Sequence, residues 1–250
     1  MIEREPASAP PNEPIFNVPW PVLAVSGVLI ALHLALQWMS VAEAERVLVA
    51  LAFIPARYSG YAADIPGGGL ASATAFVTHM LVHGDTTHLA INTAWFLAFG
   101  SVVCRRLGAA WFMAFIACAA AAGATAFLAT HVGEFTLMIG ASGAVAGLMG
   151  AVMRFLFTAI DRRQGYLLSK APQLIALMPL GQTLGDRRVI VASALFIGIN
   201  LLALVGFGLM GSAGAIAWEA HLGGYAFGLL AFGLFDPAAQ HVSPSAPDLE

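Results

Sequence analysis

Four residues in this 250-residue chain have the types that acyl-transfer chemistry needs. Ser142 stands in a Gly140-Ala141-Ser142-Gly143 run, and His221 lies just before the Gly223-Gly224 pair. A serine hydroxyl is a weak nucleophile until a nearby base takes its proton. Imidazole suits that task because its pKa lies near working pH. His88 and Asn92 are spaced i, i+4, so on a helix they share one face. Both can donate hydrogen bonds and, beside the Ser142 amide, would support the oxyanion of a tetrahedral intermediate. No carboxylate is spaced to orient His221, because Glu219, two residues away, points to a different face of the helix. The expected unit is therefore a dyad of Ser142 and His221.

The other polar residues read as structural. His79 and His83 are also i, i+4, but they lack the glutamate of a zinc-binding helix and a third ligand. No metal site is expected; with Asp85 they should fix an external loop to the second span. His33 and Gln37, and Asn200 further on, are expected to make hydrogen bonds between helices. Cys104 and Cys118 show no CxxC spacing and read as small packing residues.

The elements that must position these groups follow from composition. The chain is 59% hydrophobic and 10% charged, with mean hydropathy +0.82. A soluble domain carries about a quarter charged residues, so this composition implies an integral membrane protein embedded in a lipid bilayer. Net charge is −3 with no basic run, which argues against nucleic acid as a partner. The first 19 residues are rich in proline and acid and lack the basic start of a signal peptide, so the apolar run that follows should stay as a span.

Six stretches approach the roughly 20 residues that a transmembrane helix needs: about 20–38, 84–103, 110–130, 137–157, 189–210 and 213–235. The fold expected is an all-α membrane protein, a six-transmembrane-helix bundle. Two shorter runs, Val47–Pro55 and Ala171–Leu180, should lie in the interface or fold back onto it. The segment from Met39 to Thr78 should be an external loop with turns and short helices. Placing the N-terminus inside puts nine of the eleven Lys and Arg on the inner side, leaving Arg46 and Arg57 outside. That gives an N-in/C-in topology, with Arg154 extending its stem to the inner headgroups. The domain reading is a cytoplasmic tail over 1–19, a membrane domain over 20–235 and a disordered tail over 236–250.

In this topology span two opens with His79, His83, Asp85, His88 and Asn92, span four carries Gly140–Gly143 and span six Glu219 and His221, each in its first few turns from the outer side. Ser142 is expected about five residues into its span and His221 about eight, roughly 8 and 12 Å below the outer ends. The small faces Gly143xxxGly147 and Gly224xxxGly228 would let spans four and six approach closely enough for a serine–histidine hydrogen bond.

HGDTTHLAIN (His83 to Asn92), GASG (Gly140 to Gly143) and AHLGGYAFG (Ala220 to Gly228), spread in this order over six spans, resemble the rhomboid protease family. The similarity runs from about Trp20 to Phe235. It implies Ser142 as nucleophile, His221 as base, and His88 and Asn92 as oxyanion support. Gly140, Gly143, Gly224 and Gly228 would be structural support. It also implies cleavage of transmembrane segments of other membrane proteins near the outer face, without metal or cofactor, and a multi-pass location in a bacterial inner (cytoplasmic) membrane. Oligomeric state is left open.

Two positions depart from the family pattern. Thr74 and Ala75 stand where a Trp-Arg pair is common, so the external loop lacks that anchor. Ala146 stands where an aromatic ring often stacks on the histidine; His221 is then either less restrained or restrained by another ring such as Phe227 or Tyr225. Span five and the Gly211–Ala215 loop are the expected gate. Two competing readings are a catalytically inactive relative that binds client helices, and a small transporter using the polar cluster as an ion site. The inactive relatives generally lack the serine or histidine kept here. No repeated half or midplane charge supports the transporter.

Overall fold

The computed structural model describes residues 18–204 and 217–237. The expected tails (but for their inner ends), the last residues of span five and the Gly211–Ala215 loop lie outside these. Ten α-helices run through the described residues, joined by turns and by longer segments that hold short 3-10 helices, with no strand among them beyond one isolated bridge.

α1 (Trp20–Trp38) begins at Pro19 with Pro21 in its first turn, where a missing N–H costs no intrahelical bond. α2 (Val41–Leu51) is fixed at its start by a reciprocal cap. The Glu43 amide donates to Ser40 Oγ, and the Ser40 amide donates to the Glu43 carboxylate. α3 (Gly68–Thr78) completes the segment between α1 and α4.

α4 (Thr86–Leu107) is capped by Asp85, whose carboxylate accepts from the His88 amide at 2.8 Å. Gly108, at φ +77°, turns the chain directly into α5 (Ala109–Thr130). Then come α6 (Ser142–Asp161), the short α7 (Gly165–Lys170) and α8 (Leu180–Gly185), α9 (Arg187–Leu204) and α10 (Trp218–Phe235).

Four of these helices, α1, α4, α5 and α6, are long and apolar enough to cross a membrane. α6 is the central one: 72% of its apolar stretch is buried, against 28% in α1. Phe96, Phe112, Phe115, Phe155 and Phe232, all fully buried, fill the layer where α4, α5, α6 and α10 meet. Leucine and isoleucine side chains point outward along α1 and α9, a surface suited to lipid.

Glycine sets the tightest packing. A Cβ on Gly224 or Gly228 of α10 would overlap the carbonyls of Gly143 and Gly147 on α6, so the two backbones lie in direct contact. α5 also approaches α10 closely: a Cβ on Gly123 of α5 would stand 2.8 Å from the Ala220 carbonyl.

Several expectations are corrected. His79 and His83 do not open a long helix; they lie in the turn and loop before α4. The fourth long helix starts at Ser142, not near 137. Residues 137–141 are an apolar run, which by itself does not distinguish helix from extended chain. Here it is not helical: Met138 is extended, exchanging both backbone hydrogen bonds with Phe53 at 2.9 and 3.0 Å, and Gly140 and Ala141 turn the chain into the helix.

Arg154 does not reach toward headgroups. It is buried, donating to the carbonyls of Met178 and Leu229, and so ties the 172–179 segment back onto the bundle. Asp236, assigned to the tail, is fully buried and paired with Arg106 at 2.7 Å.

Candidate active site

The GASG segment is held by the residues that precede α4. The Gly140 amide donates to the His79 carbonyl at 2.9 Å, and the Ala141 amide to His83 Nε2 at 3.4 Å. His79 itself is buried, its Nδ1 on the Ala75 carbonyl at 2.9 Å. Burial pushes the His79 pKa down to about 4. Burial, with the neighbouring His88 and His33 rings, pushes His83 down to about 3. Both rings are therefore neutral at pH 7, His83 accepting a backbone hydrogen bond. The structural role expected for His79, His83 and Asp85 takes a different form: the two histidines fix Gly140 and Ala141, while Asp85 starts α4.

Gly140 has φ +109°, a conformation that favours glycine. Its missing Cβ is also required by space. A Cβ there would fall 2.6 Å from His88 Nε2 and 3.7 Å from Asn92 Nδ2. The two side chains thus stand together against the GASG turn. Asn92 is buried and donates to the His88 carbonyl at 3.1 Å.

Ser142 is the first residue of α6, not five residues deep, because the turn at Gly140 delays the helix. The amides at a helix start have no intrahelical acceptor and carry the positive end of its dipole. Ser142 is half-buried. His221 sits in the first turn of α10 and is half-buried as well. The residues beside them meet: a Cβ on Gly143 would lie 3.4 Å from the Ala220 carbonyl. Among the described residues the Ser142 hydroxyl makes no hydrogen bond.

His221 is engaged on its other nitrogen. Its Nδ1 lies 2.6 Å from Asn200 Oδ1 of α9. Asn200 does make the interhelical bond expected of it, but its partner is the site histidine, which sequence spacing across 21 residues did not reveal. Glu219 faces His131, the residue after α5, at 3.9 Å.

Neither ring offered as a replacement at Ala146 stacks on His221. Phe227 packs against Phe115 and Phe235, and Tyr225 stacks on Phe196 at 4.7 Å. The segment between α1 and α4 is anchored without Trp-Arg: the Tyr58 hydroxyl donates to the Ser72 carbonyl, Thr78 to Leu51, and Phe53 packs with Tyr58 and Phe76. Among the described residues no three His, Cys, Asp or Glu side chains converge as metal ligands.

The arrangement gathers a hydroxyl at a helix start, an imidazole with one nitrogen engaged, and two donor side chains against a glycine turn. The family model described as the rhomboid domain matches residues 71–236, more than half of the chain and every residue from His79 to His221. None of the curated proteins compared matches the chain. With that match and four helices fit to cross a bilayer, the chain belongs to the rhomboid family of integral membrane proteins.

Proposed function

We propose that the chain is an intramembrane serine endopeptidase. Ser142 is its nucleophile, His221 its general base, and its substrates are transmembrane segments of other membrane proteins, cut near the outer face. Rhomboid proteins are generally serine intramembrane proteases. The observation that carries the reading is the contact of Gly143 with Ala220, reinforced by Gly224 resting on Gly143. Ser142 and His221 are each one residue away from it.

In this mechanism a substrate helix enters sideways and unwinds locally. Exposed backbone groups cost several kcal/mol each in hydrocarbon, so the polar groups around Gly140 and the water they admit replace the lost bonds. His221 takes the Ser142 proton as the hydroxyl attacks the carbonyl. The developing oxyanion is stabilised by the Ser142 amide with His88 and Asn92. His221 then protonates the leaving amine, and water repeats the cycle on the acyl-enzyme. The residues need no metal or cofactor for these steps.

The membrane arrangement that goes with it has α1, α4, α5, α6, α9 and α10 as six spans, N-in and C-in, in a bacterial inner membrane. Excess Lys and Arg in the connections on one side support that orientation.

Cleavage of single-span substrates in liposomes, with fluorophosphonate labelling alongside, is the test. Both should occur in the wild type and vanish in Ser142→Ala. A folded wild type that neither cleaves nor labels would instead be an inactive binder of client helices.

A further inference from the structure

We infer that Asn200 is the positioning residue of the catalytic base, setting the tautomer and orientation of His221; the inference rests on the Ser142–His221 reading above. The Asn200 amide is fixed by its own helix. Its Nδ2 donates to the Phe196 carbonyl at 2.8 Å, and a carbonyl can only accept, so the amino group must face Phe196 and the oxygen must face His221. Oδ1 can likewise only accept. His221 Nδ1 therefore carries the proton, and in the neutral ring Nε2 is a bare acceptor. A general base for a serine needs that tautomer. One backbone carbonyl on α9 thus dictates, through one amide, which nitrogen of His221 is basic.

The bond also restrains the ring. Ala146 leaves no aromatic partner at the position that often supplies one, and neither Phe227 nor Tyr225 takes its place. Asn200 is buried, so the bond is shielded from competing water.

It belongs to a specific seam. Ser193, Phe196 and Asn200, spaced three and four apart, share one face of α9 and meet Tyr225 and His221, four apart on α10. The Ser193 and Tyr225 hydroxyls are 2.7 Å apart.

Few titratable groups bear on His221. His88 of α4 interacts with it electrostatically. On its own helix, Glu219 is directed to His131 just after α5, and the Tyr225 hydroxyl to Ser193 of α9.

The experiment uses the full chain in liposomes, with kcat and KM of single-span substrate cleavage measured across pH. A positioned general base supplies about 10²–10⁴-fold, and losing its orientation should forfeit about 10- to 100-fold of kcat in Asn200→Ala, with KM within about twofold. Asn200→Asp keeps an acceptor on Nδ1–H and adds negative charge. It should recover most of kcat and move the acid limb of kcat/KM to higher pH. Ser193→Ala loosens the same seam without touching His221 and should leave kcat and the pH profile unchanged.

The proposal is overturned if Asn200→Ala keeps wild-type kcat, or if Ser193→Ala loses as much as Asn200→Ala. Should Asn200→Ala not fold, the acid limb of Asn200→Asp decides: a limb in the wild-type position overturns it. Wild-type cleavage that survives Ser142→Ala would instead sink the dyad itself.

Discussion

Gly224 of α10 rests on the backbone of Gly143 of α6, so that a single added Cβ would occupy the place of the Gly143 carbonyl. Backbone cannot swing aside as a flexible side chain can. Gly224→Ala therefore has to push the two helices apart, at a cost of about 1–3 kcal/mol or more, and it does so one turn from Ser142 and His221. We expect a lower unfolding midpoint in detergent together with loss of cleavage. Gly198→Ala on α9, where a Cβ meets nothing within 4 Å, should leave both unchanged; equal damage from the two would show that close approach is not the reason for glycine at 224.

Asn92→Ala should slow the reaction without unfolding the protein. The side chain stands beside Gly140 and His88, and its amide donates only to the His88 carbonyl of its own helix. Removing one oxyanion donor costs about 2.7–4 kcal/mol of transition-state stabilisation, or about 10²–10³-fold in kcat. Steady-state kinetics beside a thermal melt make the check, and unchanged turnover would remove Asn92 from the site.

Gly140→Ala combines two faults. The residue must keep φ +109°, at a cost on the order of 1–3 kcal/mol for a non-glycine, and its new methyl group would displace His88 Nε2. Cleavage should fall at least as far as in His88→Ala, with a lower unfolding midpoint as well. A Gly140→Ala enzyme with wild-type kinetics would mean that the GASG turn is shaped by something other than this glycine.

Much of this architecture was legible in the chain, and the parts that were not share a cause. The first helix was readable at both ends because a mostly apolar run begins at a proline and closes before the Ser40 cap. The start of α6 was not, since Leu137 to Ala141 are as apolar as the helix they precede; the pairing of Met138 with Phe53, far away in sequence, and the turn at Gly140 keep them out of it. Arg154 and Asp236 read as surface charges because their partners, the Met178 and Leu229 carbonyls and Arg106, come from remote segments. The Asn200–His221 bond depends on which helix the polar face of α9 meets, and Ser193 and Asn200 mark that face without naming its partner.

Stability should fall on the acid side of neutrality through His79. Burial holds its folded pKa at about 4, below the ordinary value of 6.5, so the unfolded chain binds a proton that the folded one refuses. Its contribution is complete above about pH 6.5 and is lost as pH falls toward 4. His83 acts in the same direction. His79→Gln can still donate to the Ala75 carbonyl but does not titrate. Its unfolding midpoint should drop less than that of the wild type between pH 7.5 and pH 4.5, and parallel drops would exclude His79 as a source of acid sensitivity.

Arg106 is the cation most deeply committed to the fold. It donates twice to Asp236, and to the carbonyls of Pro172 and Ile175, while its guanidinium lies 4.6 Å from the centre of the Phe155 ring. It joins the end of α4, the segment before α8 and the residue after α10, far from Ser142. Replacing one partner of a buried pair costs about 3–5 kcal/mol, whereas replacing both with apolar groups of similar volume is often nearly neutral. Arg106→Met should therefore lower the unfolding midpoint sharply, and Arg106→Met with Asp236→Leu should recover part of the loss. The recovery is bounded by the two carbonyls, which no apolar side chain can satisfy. Thermal melts of the single and double variants, with residual cleavage measured below each midpoint, test this. A double variant that is less stable than Arg106→Met alone would show that Asp236 supports the fold through contacts other than Arg106.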